Sequence, residues 1–429
     1  MNFPGHLSGK RFFFQVLILA CTQPSGFGQT SSDALTWVQA KMREYLGHLP
    51  NYTCRVTLER LSRKRQNQAF EVNDRLRLEV AFAGGQELYS WPGDNRFEFG
   101  LEKLVGIPGM ISTGSYALLT RDLFTSSAAE FSSIGEADCA GSPCAEVNFK
   151  VPIERTRYII SDGDGRGLAP YSGSIWFDRD TLELRQVRVH TDQTPQAMKI
   201  AALQETTVYG RVRVGDSDAV LPRSTETVST RRDGSQNRNL ATFENYHRYA
   251  GQSTISFDDA PQRDAPVQAS HEVQVPASFD VEMALDAPIG SEAAIGDLVT
   301  ASIRRISSKQ PSNIPVRARV ICRITNLGWV GSLPLPNSGE FATYNSWFLS
   351  IKPLRIEWEG GQASISGSLR SITEGPPVSL IQRPASKWVE PVLAGFGFST
   401  AANALRVTAA QLKIPAGFRM TWRAQPAPK

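Results

Sequence analysis

The strictest constraint on this chain is period-two alternation, which recurs through most of residues 52–249. Leu76, Leu78, Val80 and Phe82 recur at every second position, and Gly84-Gly85 then turns the chain into a further strand over 87–91. Cys54, Val56 and Leu58 form the strand before them. Strand signals resume over 145–151, 156–160, 172–178, 182–189, 206–214, 221–229 and 240–249. This succession predicts a long antiparallel meander. Within 182–189 the apolar positions move from 182 and 184 to 187 and 189, so the inward face changes parity at Arg185-Gln186. A β-bulge does that, and a strongly curved sheet needs one.

A helix precedes the meander. Leu35, Val38, Met42, Tyr45 and Leu49 recur at helical steps, Ser32 or Asp33 can cap the start, and Pro50 follows the end. Its apolar stripe requires a sheet to cover. Residues 101–125, with Tyr116, Leu118, Leu119, Leu123 and Phe124, lose the alternation and predict one or two short helices over the mouth of that sheet. Arg63-Lys64-Arg65 falls in a hairpin loop, read as a solvated turn, with contact to anionic lipid as the alternative.

Lys10 and Arg11 precede an apolar run over 12–20, and Gly26-Phe27-Gly28 closes a segment of mostly small and polar residues. The run is too short to span a bilayer and has the layout of an export signal, residues 1–28. Export removes ATP and NAD(P)H as expected cofactors and permits disulfides. Cleavage before Gln29 leaves a soluble chain. Ile18-Leu19-Ala20-Cys21 offers a second cut, after which Cys21 would be acylated and anchor the chain to a membrane. The signal holds two of the 46 basic residues and none of the 42 acidic ones, so the remainder is nearly neutral and nothing in it points to nucleic acid. No later apolar run approaches the roughly 18–20 residues of a spanning helix.

Cys139 and Cys144 bracket Ala-Gly-Ser-Pro, a turn-forming insert that can bring the sulfurs together across a hairpin. Two unpaired thiols or a zinc pair are the alternatives, and no second Cys or His pair stands at ligand spacing for zinc. Cys54 and Cys322 read as small buried hydrophobes in strands of different domains.

About 400 residues after the signal predict two domains. A leading amphipathic helix, a long meander, a helical insert and the hairpin Gly173-Ser174-Ile175-Trp176-Phe177-Asp178-Arg179-Asp180-Thr181-Leu182-Glu183-Leu184 resemble the LolA/LolB and RseB type of lipoprotein carrier and sensor, over residues 32–257. The resemblance implies an open antiparallel half-barrel whose apolar concave side holds acyl chains under a helical lid. Leu76, Leu78, Val80, Phe82, Ile175 and Phe177 then become candidates for lining the cavity. The alternative is that they simply pack beneath the leading helix.

Residues 258–277 mix Pro, Ala, Gln and charge without period and read as a linker. The attached domain over 278–423 departs from the family's pattern. Its strand at 281–285, a break at Ala287-Pro288-Ile289-Gly290, a strand from Ile295 and the Ile314-Pro315 entry into 316–324 resemble the outer-membrane-channel β-domain of TrbI-type conjugation proteins. Residues 384–412 predict a turn and a short helix, and 424–429 a disordered tail. The expected class is mainly β with a few helices (α+β): a curved half-barrel with a packed helix, then a C-terminal β-sandwich or barrel-like domain.

Catalytic signatures are missing from the sequence: there is no GxSxG, HExxH, CxxC or Walker loop. His48, His190, His247 and His271 are scattered and read as structural or solvated. Asp162-Gly163-Asp164-Gly165-Arg166-Gly167 resembles half a calcium loop, but Gly173 stands where the closing acid belongs, so a glycine-rich turn is favoured. The expectation is therefore a non-enzymatic envelope protein without metal or cofactor, located in the periplasm or at the outer membrane. It would hold a lipid, lipoprotein or other apolar ligand in the half-barrel. The alternative is a structural or sensor module that binds protein or glycan partners.

Overall fold

The computed structural model describes residues 31–94, 96–99, 101, 118–161, 165–249, 273, 275–309, 313–334, 341–373, 377–381 and 404–427. The leader with Cys21, residues 102–117 of the helical insert, 162–164 of the glycine-rich turn, the stretch 258–272 of the linker with His271, and 384–403 lie outside these residues.

The first lobe is one antiparallel sheet of eleven strands. Helix α1 (Ser31–Gly47) precedes β1 (Tyr52–Arg63), β2 (Glu71–Ala83), β3 (Gln86–Ser90) and β4 (Glu98–Phe99); α2 (Leu118–Thr125) is inserted before β5 (Glu130–Asp138) and β6 (Pro143–Val151). A two-stranded hairpin of β7 (Ile159–Ser161) and β8 (Arg166–Leu168) stands apart from the sheet. Then follow β9 (Tyr171–Asp178), β10 (Leu184–Thr191), β11 (Ile200–Val214), β12 (Ser217–Arg231) and β13 (Gln236–Arg248). The spatial order is β4-β3-β2-β1-β13-β12-β11-β10-β9-β6-β5, so the last strand returns to pair with the first. Leading helix, meander and the described end of the helical insert, α2, have the arrangement that the resemblance implied. The register slips between Leu184 and Gln186, where the sequence parity predicts a bulge.

The second lobe comprises β14 (Phe279–Leu285), β15 (Leu298–Ser308), β16 (Arg319–Pro334), β17 (Phe341–Trp358), β18 (Gly361–Ile372), β19 (Val378–Ile381), β20 (Ala404–Thr408) and β21 (Arg419–Pro426). Six of them close a ring, β16-β15-β14-β21-β18-β17, through the β16–β17 pairing, and β20 and β19 extend outward from β17. The six strands thus form a closed barrel, which leaves none of them at a sheet edge, while β19 is the outer strand of the extension. Val281, Met283, Ile303, Val320, Ile356 and Trp422 belong to its core.

Three readings need correction. Of 156–160 only the end is strand, because the Thr156 hydroxyl bonds the Ala169 carbonyl and the Tyr158 amide and holds the preceding turn. Ala404–Thr408 is strand rather than helix, held between β17 and β19. Ala424 to Pro426 complete β21 opposite β18 with Ala424 fully buried, so the ladder continues into what composition alone marks as tail.

The lobes share a seam along β2. Strand β3 covers only the last five residues of β2, and Ile295 takes up the edge left bare: its N–H bonds the Arg75 carbonyl and its carbonyl accepts from the Arg77 N–H, both at 2.8 Å. Arg77 pairs with Asp297, Arg75 with Glu292 at 3.2 Å, and Arg323 grips Asp94 at 2.8 and 3.0 Å. One apolar cluster runs continuously from Leu58 and Leu78 of the first lobe to Met283 and Ile324 of the second.

Candidate functional site

Strand pairing lays the concave face out in rows. One row runs Leu76, Leu58, Ala241, Thr225, Thr207, Val187, Ile175, Val147 across eight strands from β2 to β6. The neighbouring row runs Asp74, Arg60, Asn239, Thr227, Glu205, Val189, Gly173, Phe149. Its first five members are polar, and all are buried. Arg60 donates from Nε to Asp74 Oδ1 at 2.6 Å and from a second nitrogen to Oδ2, Thr227 donates to Glu205 at 3.4 Å, and Thr207 and Thr225 share a 2.9 Å hydrogen bond in the row beside them. Buried charges survive when paired and hydrogen-bonded in this way. This second row is therefore divided: hydrogen-bonding from β2 to β11, apolar from β10 to β6.

The helices cover the apolar part. Val38 and Met42 of α1 and Leu123 and Phe124 of α2 are buried with Val147, Phe149, Ile175, Phe177, Leu184 and Val187. The Phe124 ring stacks on Phe131 at 5.5 Å and meets Phe177 edge-on at 6.1 Å. Gly173 is needed here, because a Cβ would lie 1.9 Å from the Arg188 carbonyl and 2.8 Å from the Phe149 ring. Polar tethers from α1 include Arg43 Nε to the Phe124 carbonyl at 3.1 Å and the Tyr45 hydroxyl to the Val220 carbonyl. Burial pushes the Tyr45 phenol well above its ordinary pKa, so it stays a neutral donor.

The six candidate lining residues fall into two groups. Ile175 and Phe177, both fully buried, sit beneath α1 and α2. Leu76, Leu78, Val80 and Phe82, at most 5% exposed, belong to the cluster shared with the second lobe. Leu76 and Ile175 share a row but lie six strands apart, so they line different parts of the face.

A groove of about 360 Å³ opens between α1, the β9–β10 turn and the β11–β12 strand ends. Met42, Tyr45, Leu182, Leu184, Ala219 and Val220 form its apolar walls. Arg211, bonded through Nε to Glu183 at 3.0 Å, and Lys41 and Asp218 mark its rim. Sequence periodicity identifies Met42 and Tyr45 as helix stripe but not as groove wall. The polar row escapes it too, although one signal was present: Arg60 and Asp74 are in phase with Leu58 and Leu76.

Cys139 and Cys144 form a disulfide that closes the β5–β6 hairpin, while Cys54 and Cys322 are buried thiols. Among the described residues no group of three or more His, Cys, Asp and Glu side chains is placed to hold a metal ion, and no helix is long and apolar enough to cross a membrane.

No protein-family model matches the chain, and no curated protein matches it in sequence. Among solved structures it is similar to a DUF1329 family protein from Desulfovibrio piger, at 12% identity and TM-score 0.29, covering 52% of this chain and 96% of that one. It is similar to a LolA superfamily protein from Nitrosomonas europaea at 8% identity and TM-score 0.28, covering 52% and 95%. A third likeness is to MucB in complex with MucA, at 12% identity and TM-score 0.15, covering 93% and 94%.

Proposed function

We propose that this chain is an exported, non-enzymatic envelope protein that holds an apolar chain, such as the acyl group of a lipid or lipoprotein, between α1 and the concave face of the first lobe. One observation carries this reading: Met42, Leu184 and Val220 are both walls of the groove and members of the cluster that contains Ile175 and Phe177. An apolar chain entering the groove meets that cluster without crossing a polar layer. The volume falls within the roughly 300–1,000 Å³ of small-ligand sites. Ile175 and Phe177 are the floor in this proposal, and Leu76, Leu78, Val80 and Phe82 serve the joint with the second lobe. Export rests on residues 1–28, and acylation at Cys21 would add an anchor.

A second reading draws on the burial of all six candidates: the concave face is filled by the protein's own elements, and the chain is a structural or sensor module. Uptake of dansyl-undecanoic acid, together with native mass spectrometry of protein from a mild envelope extract, separates the two. The carrier reading expects bound lipid, and an Ala219→Trp variant that folds but binds the probe about tenfold more weakly, a loss of about 1.4 kcal/mol. Protein that carries no lipid and takes up no probe supports the module instead.

A further inference from the structure

The end of the first lobe opposite the groove gathers three turns that are far apart in sequence. Arg63 pairs in register with Gln236, Arg231 with Ile200, and the Arg232 amide bonds the Lys199 carbonyl at 2.8 Å. Arg63, Lys64, Arg65, Lys199, Arg231 and Arg232 are thereby brought to one face, where the same turns supply Glu71, Asp192 and Asp233. That excess of three is large beside the excess of four carried by the whole chain of 46 basic and 42 acidic residues.

Two of these groups, Arg232 and Arg63, are fixed in place. Arg232 donates to the Met198 carbonyl at 2.9 Å and the Pro195 carbonyl at 3.2 Å, and neither acceptor neutralises its charge. Arg63 donates from Nε to Gln236 at 2.8 Å and lies 4.3 Å from the centre of the Phe70 ring, with Arg238 on the same ring at 5.6 Å. Val72, 37% exposed, adds an apolar side chain at this end. Strands spaced by about 4.8 Å make the five strand ends from β2 to β11 roughly 20 Å wide. Held guanidinium groups beside the exposed Val72 and the half-buried Phe70 suit a surface of phosphates over hydrocarbon.

We infer that this basic end docks on an anionic lipid bilayer, with the arginines and lysines on the headgroup phosphates and Phe70 and Val72 toward the acyl boundary. The inference is independent of the groove. Charge complementarity over a wide face selects a bilayer rather than a single small anion, and an acidic protein partner is the competing occupant that the test excludes.

The full chain without its leader is floated with vesicles of equal phosphatidylglycerol and phosphatidylcholine, and with phosphatidylcholine alone. The expected result is flotation with the anionic vesicles only, lost near 0.5 M salt, where screening shortens to about 4 Å. At the energy of one juxtamembrane cation each, Lys64→Glu/Arg65→Glu/Arg232→Glu should weaken binding at least about a hundredfold. Replacing the same three residues by Gln, which asks less of folding, should give an intermediate loss, and circular dichroism checks the fold of both. Arg304→Glu/Lys309→Glu on the second lobe should float like the parent protein. The inference is overturned if the parent stays out of the anionic vesicle fraction at low salt, as it would with an acidic protein as sole partner. It is equally overturned if folded triple variants float unchanged, or if Ala219→Trp abolishes flotation and so moves the contact to the groove.

Discussion

Arg77 reaches across the seam to Asp297 from the same residue whose backbone N–H bonds Ile295, so one β2 position joins the lobes through both its side chain and its main chain. The apolar cluster behind this contact runs through both lobes. Cutting the chain within 258–272 should therefore leave two fragments that elute together on gel filtration. Two separately eluting folded pieces would show that the seam is weak.

Gly296 tests the same joint from the backbone. Its φ of +103° is one that L side chains rarely adopt, and a Cβ there would lie 2.4 Å from the Arg77 carbonyl and 2.7 Å from the Trp91 ring. Gly296→Ala should cost on the order of 2–4 kcal/mol by urea denaturation. A loss below about 0.5 kcal/mol would mean that the lobes adjust freely.

The Arg60–Asp74 pair should behave as a buried unit. Asp74→Ala leaves a guanidinium in the interior and should cost about 3–5 kcal/mol, whereas the double replacement by Met and Leu should recover most of that. Additive losses in the double-mutant cycle would contradict the pairing.

Burial of Glu79 pushes its carboxyl from 4.5 up to about 7, against the lowering effect of Arg55 at 3.2 Å. The fold then favours the protonated acid. Its contribution is complete below about pH 4.5, declines as pH rises through about 7 and is level above that. Glu79→Gln should remove this slope and gain on the order of 1–2 kcal/mol over the parent at pH 8. Parallel stability curves for the two proteins across pH 4.5–8 would refute the assignment.

The Cys139–Cys144 bridge encloses a short loop, and constraining a short loop removes little chain entropy. Replacing both by Ser should cost about 2 kcal/mol or less in chemical denaturation, and dansyl-undecanoic acid uptake should not change.

Local alternation made β1–β3 and β9–β13 readable in the sequence, and the parity change at Arg185-Gln186 located the bulge. Strand β5 went unread because Glu-Phe-Ser-Ser-Ile-Gly-Glu-Ala-Asp carries too few alternating apolar residues; pairing with β6 makes it a strand. Closure of the barrel depends on β14 meeting β21, more than 130 residues away, which no local pattern encodes. For the candidate site, parity told which side chains point inward. It could not tell that α1 and α2 cover Phe177 while another lobe covers Leu78, since that depends on how separate elements dock.

Strand β3 ends five residues along β2, and Ile295 occupies the next stretch of that edge. A gene fragment encoding only residues 31–249 would thus expose open β-edge hydrogen-bonding groups beside the apolar side chains of Leu76 and Leu78, a template on which identical copies can add strands. The second lobe acts in this respect as a built-in chaperone for its neighbour. During synthesis the first lobe emerges before its cover exists, so the interval until residue 295 leaves the ribosome is when this protein is most exposed to self-association.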